Sequence, residues 1–120
     1  MTNIAEQVLV VTGGTSGIGE AFARSFGAEG ASVVIAGRNG EKAQRIASDI
    51  VKAGGKAIGV TCDVTQQSEC NALIAATLAE YGRLDTVFAN HGAAGEIGPL
   101  VRWSDEDVQQ TVNVNLLGTL

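Results

Sequence analysis

The stretch VLVVTGGTSGIGEAF, Val8 to Phe22, decides the fold. Its first four residues are apolar without alternation, the pattern of a strand buried on both faces of a sheet. Four glycines follow within seven positions: Gly13, Gly14, Gly17 and Gly19. Fixing a glycine costs more backbone entropy than fixing any other residue, so a cluster of four demands a reason. A helical pattern begins at about Ile18, with Ile18, Ala21, Phe22, Ser25 and Phe26 expected on its apolar face and Gly30 at its end.

Outward from this stretch the same alternation recurs. SVVIA, Ser32 to Ala36, reads as a second buried strand. A helix follows with Ala43, Ile46, Ala47 and Ile50 on its stripe, closed by Lys52 and the glycines after it. KAIGVTCD reads as a third strand, weakened by Gly59. The period over Gln67 to Tyr81 predicts a helix buried along Cys70, Leu73, Ile74, Thr77, Leu78 and Tyr81. DTVFAN, Asp85 to Asn90, is a fourth strand, and Ser104 is placed to cap a last helix. Crossovers of this length join parallel strands. The prediction is an α/β Rossmann-type doubly wound sheet, strand order 3-2-1-4, helices on both faces and an apolar fourth strand at one edge.

Composition narrows the function. The 120 residues are 45% hydrophobic, enough for one domain with a modest core. No apolar run reaches the roughly 20 residues of a membrane span, and MTNIAEQ lacks the features of a secretory signal, so a cytoplasmic protein without membrane attachment is expected. The net charge of −5, with scattered basic residues, argues against a nucleic-acid partner. Cys62 and Cys70 suit a reduced compartment and read as packing residues rather than a redox pair. His91 is the sole histidine and has no second ligand at motif spacing, so no metal site is expected.

Ligands of doubly wound sheets sit at the carboxyl ends of the strands, beside the first one. The glycine cluster lies there, at the start of a helix whose first N–H groups lack internal partners and favour an anion. Gly13 permits a sharp turn, Gly17 lets a phosphate reach the backbone, and Gly19 lets the helix lie close on the strand. A diphosphate is the expected occupant, and a tight turn without a ligand is the plainer alternative. The spacing is G-x-x-x-G-x-G, not the G-x-G-x-x-G of the common dinucleotide fingerprint. A P-loop is excluded, because Glu20 and Ala21 stand where lysine and Ser/Thr are required.

TGGTSGIG resembles the T-G-x-x-x-G-x-G cofactor motif of the short-chain dehydrogenase/reductase family. Three further segments resemble that family in order: Asp63 and Val64 of CDV, ANHG at Ala89 to Gly92, and VNLLG at Val114 to Gly118. The resemblance implies that Gly13, Ser16, Gly17, Ile18 and Gly19 wrap the pyrophosphate, with Thr15 among the cofactor-binding residues. It implies Asp63 on the adenine amino group, Val64 against the adenine ring and Asn90 near the ribose. It assigns Asn115 to the catalytic apparatus, holding the active-site lysine through a bound water. A cofactor without a 2′-phosphate wants a carboxylate at the end of the second strand. Gly37 and then Arg38 stand there, and a guanidinium suits a phosphate. NADP(H) is therefore expected over NAD(H).

The sequence also departs from the family. Ala89 and His91 replace an asparagine and an alanine of N-N-A-G; His91 is read as a loop or structural residue, with a general base as the alternative. The family's serine and Y-x-x-x-K, later than its asparagine motif, are not found. Residues 1–120 are thus expected to be the cofactor-binding part of a longer, homo-oligomeric oxidoreductase acting on a carbonyl or secondary alcohol. By itself this part is expected to be inactive, and marginally stable or self-associating. The alternatives are a nucleotide-binding module without catalysis and a scaffold without ligand.

Overall fold

A computed structural model describes residues 3–91 and 104–114. A short 3-10 turn at Ile4–Glu6 precedes β1 (Val8–Thr12), α1 (Gly17–Ala28), β2 (Ser32–Gly37), α2 (Gly40–Lys52), β3 (Lys56–Thr61), α3 (Gln67–Tyr81), β4 (Thr86–Ala89) and α4 (Asp105–Val112). The sheet is parallel in the order β3-β2-β1-β4, as the alternation of the sequence required. Every residue of β1 and β2 is buried, whereas the edge strands β3 and β4 are partly exposed. Val87, opposite Val10 in the register, keeps 50% of its surface exposed.

Successive strand side chains face opposite ways, so the central strands feed two cores. Leu9, Val11, Val33 and Ile35 pack with Ala23 of α1 and with Ala43, Ile46, Ala47 and Ile50 of α2. Val10, Val34 and Ala36 pack on the other face with Cys62 and Leu73. Each large aliphatic side chain so buried contributes about 1.5–3 kcal/mol. Asp85 aligns the edge strand: its Oδ2 accepts the Val8 N–H at 2.7 Å, and its own N–H donates to the Val8 carbonyl at 3.0 Å.

The expected face of α1 is corrected. Its buried residues are Gly19, Ala23 and Gly27, four apart. Ile18 is 72% exposed, Ala21 and Ser25 are exposed, and Phe22 and Phe26 only flank the core. The helix lies so close to the sheet that only small residues fit beneath it. A β-carbon on Gly27 would stand 2.7 Å from Cγ2 of Ile50. The phenylalanines fill the margin instead, with Phe22 stacked on Phe26 at 4.3 Å and on Phe88 at 4.2 Å between ring centroids.

On α2 the expected stripe is the buried one, and Asn39 caps the helix by accepting the Lys42 N–H at 3.1 Å. Gly59 does more than weaken β3, since a β-carbon there would lie 2.6 Å from the backbone nitrogen of Gln44. It is the seat on which α2 rests. The limits of α3 are those expected, but its stripe is only half buried. Leu73 and Thr77 are inside, while Ile74 and Leu78 are 37% and 47% exposed. The Thr77 hydroxyl donates to the Leu73 carbonyl at 2.9 Å, which satisfies a polar group in an apolar setting. Among the described residues, no helix is long and apolar enough to cross a membrane.

Candidate functional site

The carboxyl ends of all four strands open onto one cleft of about 360 Å³. The first turn brings Gly13, Thr15 and Ser16 to it; the end of β2 brings Gly37, Arg38 and Asn39; the end of β3 brings Cys62, Asp63 and Val64. Asn90 and His91 line it beyond β4, and Val114 lines it beyond α4. Segments far apart in sequence meet here because the strands run parallel and share one end.

The turn is built on backbone conformations that other residues rarely adopt. Gly13 has φ +62° and Gly17 has φ +56°. Space beside Gly17 is open, with no atom within 4 Å of where a β-carbon would stand. A β-carbon on Gly19 would instead overlap the Gly13 carbonyl oxygen and lie 2.6 Å from the Asn90 amide nitrogen. Ser16, the residue before α1, is extended and makes no side-chain cap. The first-turn N–H groups therefore keep the partial positive charge of a helix start. Gly17, Ile18 and Gly19, which follow Ser16 at the start of α1, are not among the residues that line the cleft.

Across the cleft Arg38 is exposed and forms no ion pair among the described residues. Asp63 Oδ1 accepts the Thr65 N–H at 3.0 Å and the Thr65 hydroxyl at 2.7 Å. Those bonds first, and then the Arg38 charge, hold its carboxyl below the usual range. Asp63 is thus both a turn carboxylate and a wall of the cleft. A larger side chain at Gly37 would require Thr15 to shift, because a β-carbon there would sit 2.8 Å from its Cγ2.

At the other end, Asn90 Nδ2 donates to the Gly13 carbonyl at 3.2 Å, and the Asn90 N–H donates to the Thr12 hydroxyl at 3.1 Å. His91 Nδ1 lies 2.8 Å from the same hydroxyl. Burial pushes the His91 imidazole below its ordinary value. Thr12 was not singled out by the sequence, since its partners are 78 and 79 residues away. Tyr81 packs against the α3-side core, where burial pushes its phenol up. Burial, followed by the neighbouring Cys70 thiol, pushes the Cys62 thiol up to about 12. Asn115 lies outside the described residues, one position beyond Val114.

Residues 7–120 match the family described as short chain dehydrogenase. The chain belongs to this family. Among solved short chain dehydrogenase and reductase structures, a 3-ketoacyl-ACP reductase from Sinorhizobium meliloti superposes with a TM-score of 0.91 at 35% identity, over 93% of this chain and 44% of that one. A 3-ketoacyl-(acyl-carrier-protein) reductase from Brucella melitensis, complexed with NADH, gives 0.88 at 31% identity, over 94% and 45%. A variant actinorhodin polyketide ketoreductase with NADPH gives 0.89 at 37% identity, over 99% and 45%. Among curated relatives, the 3beta-hydroxysteroid dehydrogenase of Mediterraneibacter gnavus is 37% identical, over 97% of this chain and 42% of its own length. The chain spans about half the length of the short chain dehydrogenases that it matches.

Proposed function

We propose that the chain is the cofactor-binding part of an oxidoreductase that prefers NADP(H) and acts on a carbonyl or secondary alcohol. Its substrate class is that of 3-oxoacyl-carrier-protein reductases or of sugar and steroid dehydrogenases. The observation that carries this reading is the juxtaposition across one cleft of an uncapped helix start and, at the end of β2, an exposed guanidinium that forms no ion pair among the described residues. The fit is good for a dinucleotide. The open space beside Gly17 admits a diphosphate to the N–H groups, and Val64 offers an apolar wall beside the fixed Asp63 carboxylate.

In this reading Gly13, Thr15, Ser16, Gly17, Ile18 and Gly19 hold the pyrophosphate. Asp63 and Val64 take the adenine, and Asn90 fixes the loop beside the ribose. Arg38 pairs with the 2′-phosphate, and Gly37 offers no carboxylate to the ribose. Asn115 serves the catalytic apparatus by holding a lysine through water. The bound dinucleotide supplies a hydride donor or acceptor, while the chain's own groups bind it, orient it and shield it. Hydride delivery to a carbonyl leaves charge on oxygen, which a tuned proton donor must neutralise.

The test is titration with NADPH followed by fluorescence, on the protein and on a Gly17→Val variant. A valine adds bulk and a conformational penalty at positive φ, so affinity should fall about tenfold or more. Undiminished affinity in the variant would remove the pyrophosphate cradle on which the proposal stands.

A further inference from the structure

The Thr12 hydroxyl has one hydrogen and two lone pairs to place. One lone pair accepts the Asn90 N–H at 3.1 Å. Two acceptors are in range for the hydrogen: the Phe88 carbonyl at 3.4 Å and His91 Nδ1 at 2.8 Å. Oxygen donors make good bonds at about 2.5–3.0 Å, so the shorter contact favours placing the hydrogen on His91. That assignment makes Nδ1 the acceptor and puts the ring's own proton on Nε2. The hydroxyl then joins three things: the last residue of β1, the backbone of Asn90 and the His91 ring. Asn90 in turn holds the glycine turn through the Gly13 carbonyl at 3.2 Å.

We propose that His91 is a positioning residue for the cofactor cleft: by accepting the Thr12 hydroxyl hydrogen at Nδ1, it fixes the hydroxyl that holds Asn90 and, through Asn90, the glycine turn. The inference rests on the reading of this cleft as a nicotinamide dinucleotide site. A proton on Nδ1 would confront the hydroxyl hydrogen and turn it toward the distant Phe88 carbonyl. The relay should therefore weaken on acidification. Among the described residues, the other titratable groups of the cleft are Arg38 from the end of β2 and Cys62 and Asp63 from the end of β3. Among the described residues, the first strand and the glycine turn bring Thr12, Gly13, Thr15 and Ser16 to this place and the end of α4 brings Val114, none of them an acid or a base. Asp63 ionises below the usual carboxylate range and Cys62 near 12, so neither titrates together with His91.

Two measurements test it. The first is the nitrogen-15 spectrum of the histidine ring in the ligand-free protein, where a proton on Nε2 is expected and a proton on Nδ1 would overturn the proposal. The second is NADP⁺ affinity against pH for the protein and for His91→Asn, His91→Gln and His91→Ala. Asparagine places an acceptor where Nδ1 stands and can be held at any pH, whereas glutamine and alanine cannot replace it. The alanine and glutamine variants should bind about fivefold more weakly at neutral pH, the worth of one such bond. The asparagine variant should bind normally and lose the acid-side decline of the natural protein. The ligand's own phosphate titrates in every arm and cancels in the ratio. Equal affinities and parallel pH profiles across the four proteins would overturn the proposal. Absence of NADP⁺ binding by the unaltered protein would instead remove the functional reading, with the ring spectrum still deciding the Thr12–His91 contact.

Discussion

Gly19 of the first helix and Asn90 after the fourth strand are so close that a β-carbon on the glycine would stand 2.6 Å from the asparagine's amide nitrogen. The same β-carbon would overlap the Gly13 carbonyl, to which that amide donates. Gly19→Ala should therefore destabilise the fold by about 1–3 kcal/mol, as overpacking does, and weaken nucleotide binding as well. Urea unfolding and an NADPH titration read the two effects. A midpoint equal to that of the natural protein would show that the turn yields more easily than its geometry implies.

Arg38 is the next test, because its guanidinium forms no ion pair among the described residues and only its charge reaches Asp63. Arg38→Ala should cost NADPH binding about 1–2 kcal/mol, close to tenfold, through loss of a charged contact to the 2′-phosphate. NADH, which lacks that group, should bind unchanged. Parallel titrations with both dinucleotides settle the matter, and an equal loss for both would assign Arg38 to something other than phosphate selection.

Cys62 and Cys70 should differ in reactivity. The Cys62 thiol is buried and pushed up to about 12, so almost none of it is thiolate at neutral pH. Cys70 is only partly buried, with its thiol donating to the Val64 carbonyl at 3.5 Å. A disulfide-exchange reagent at mild alkaline pH should label Cys70 in a first phase and reach Cys62 only on unfolding. Peptide mass mapping against time distinguishes the two. Simultaneous labelling would indicate that the end of β3 opens readily.

Stability should fall in acid partly through Asp85. Its carboxyl is held below the usual range, first by the Arg83 side chain and then by the Val8 N–H. A depressed folded-state value stabilises above the unfolded carboxylate range, and that contribution is lost as pH falls through the folded value. Asp85→Asn should give a flatter stability profile on the acid side, measured by urea unfolding at several pH values. Curves that stay parallel would place the acid sensitivity elsewhere.

The elements and their order were legible because continuous apolar runs and three-and-four spacings report burial directly. Helix faces were less so. On α1 the eye goes to Ile18 and the phenylalanines, yet the buried line is Gly19, Ala23 and Gly27. Hydrophobicity ranks large side chains first, and a helix pressed against a sheet selects small ones. Ile74 and Leu78 carry the same lesson on α3. Residues of the cleft were found where a motif marked them. Thr12 opens the TGGTSGIG motif, yet its role was missed because the partners of its hydroxyl, Asn90 and His91, are brought to it only by the fold.

Gly59 beneath α2 has a genetic consequence. Most interior defects can be relieved by a neighbour that shrinks or turns, because side chains repack. Here helix and sheet meet peptide against peptide, with nothing on either side that could be trimmed. Suppressors of a substitution at this joint should be rare, whereas those of a defect at Leu9 or Ile46 have many places to arise.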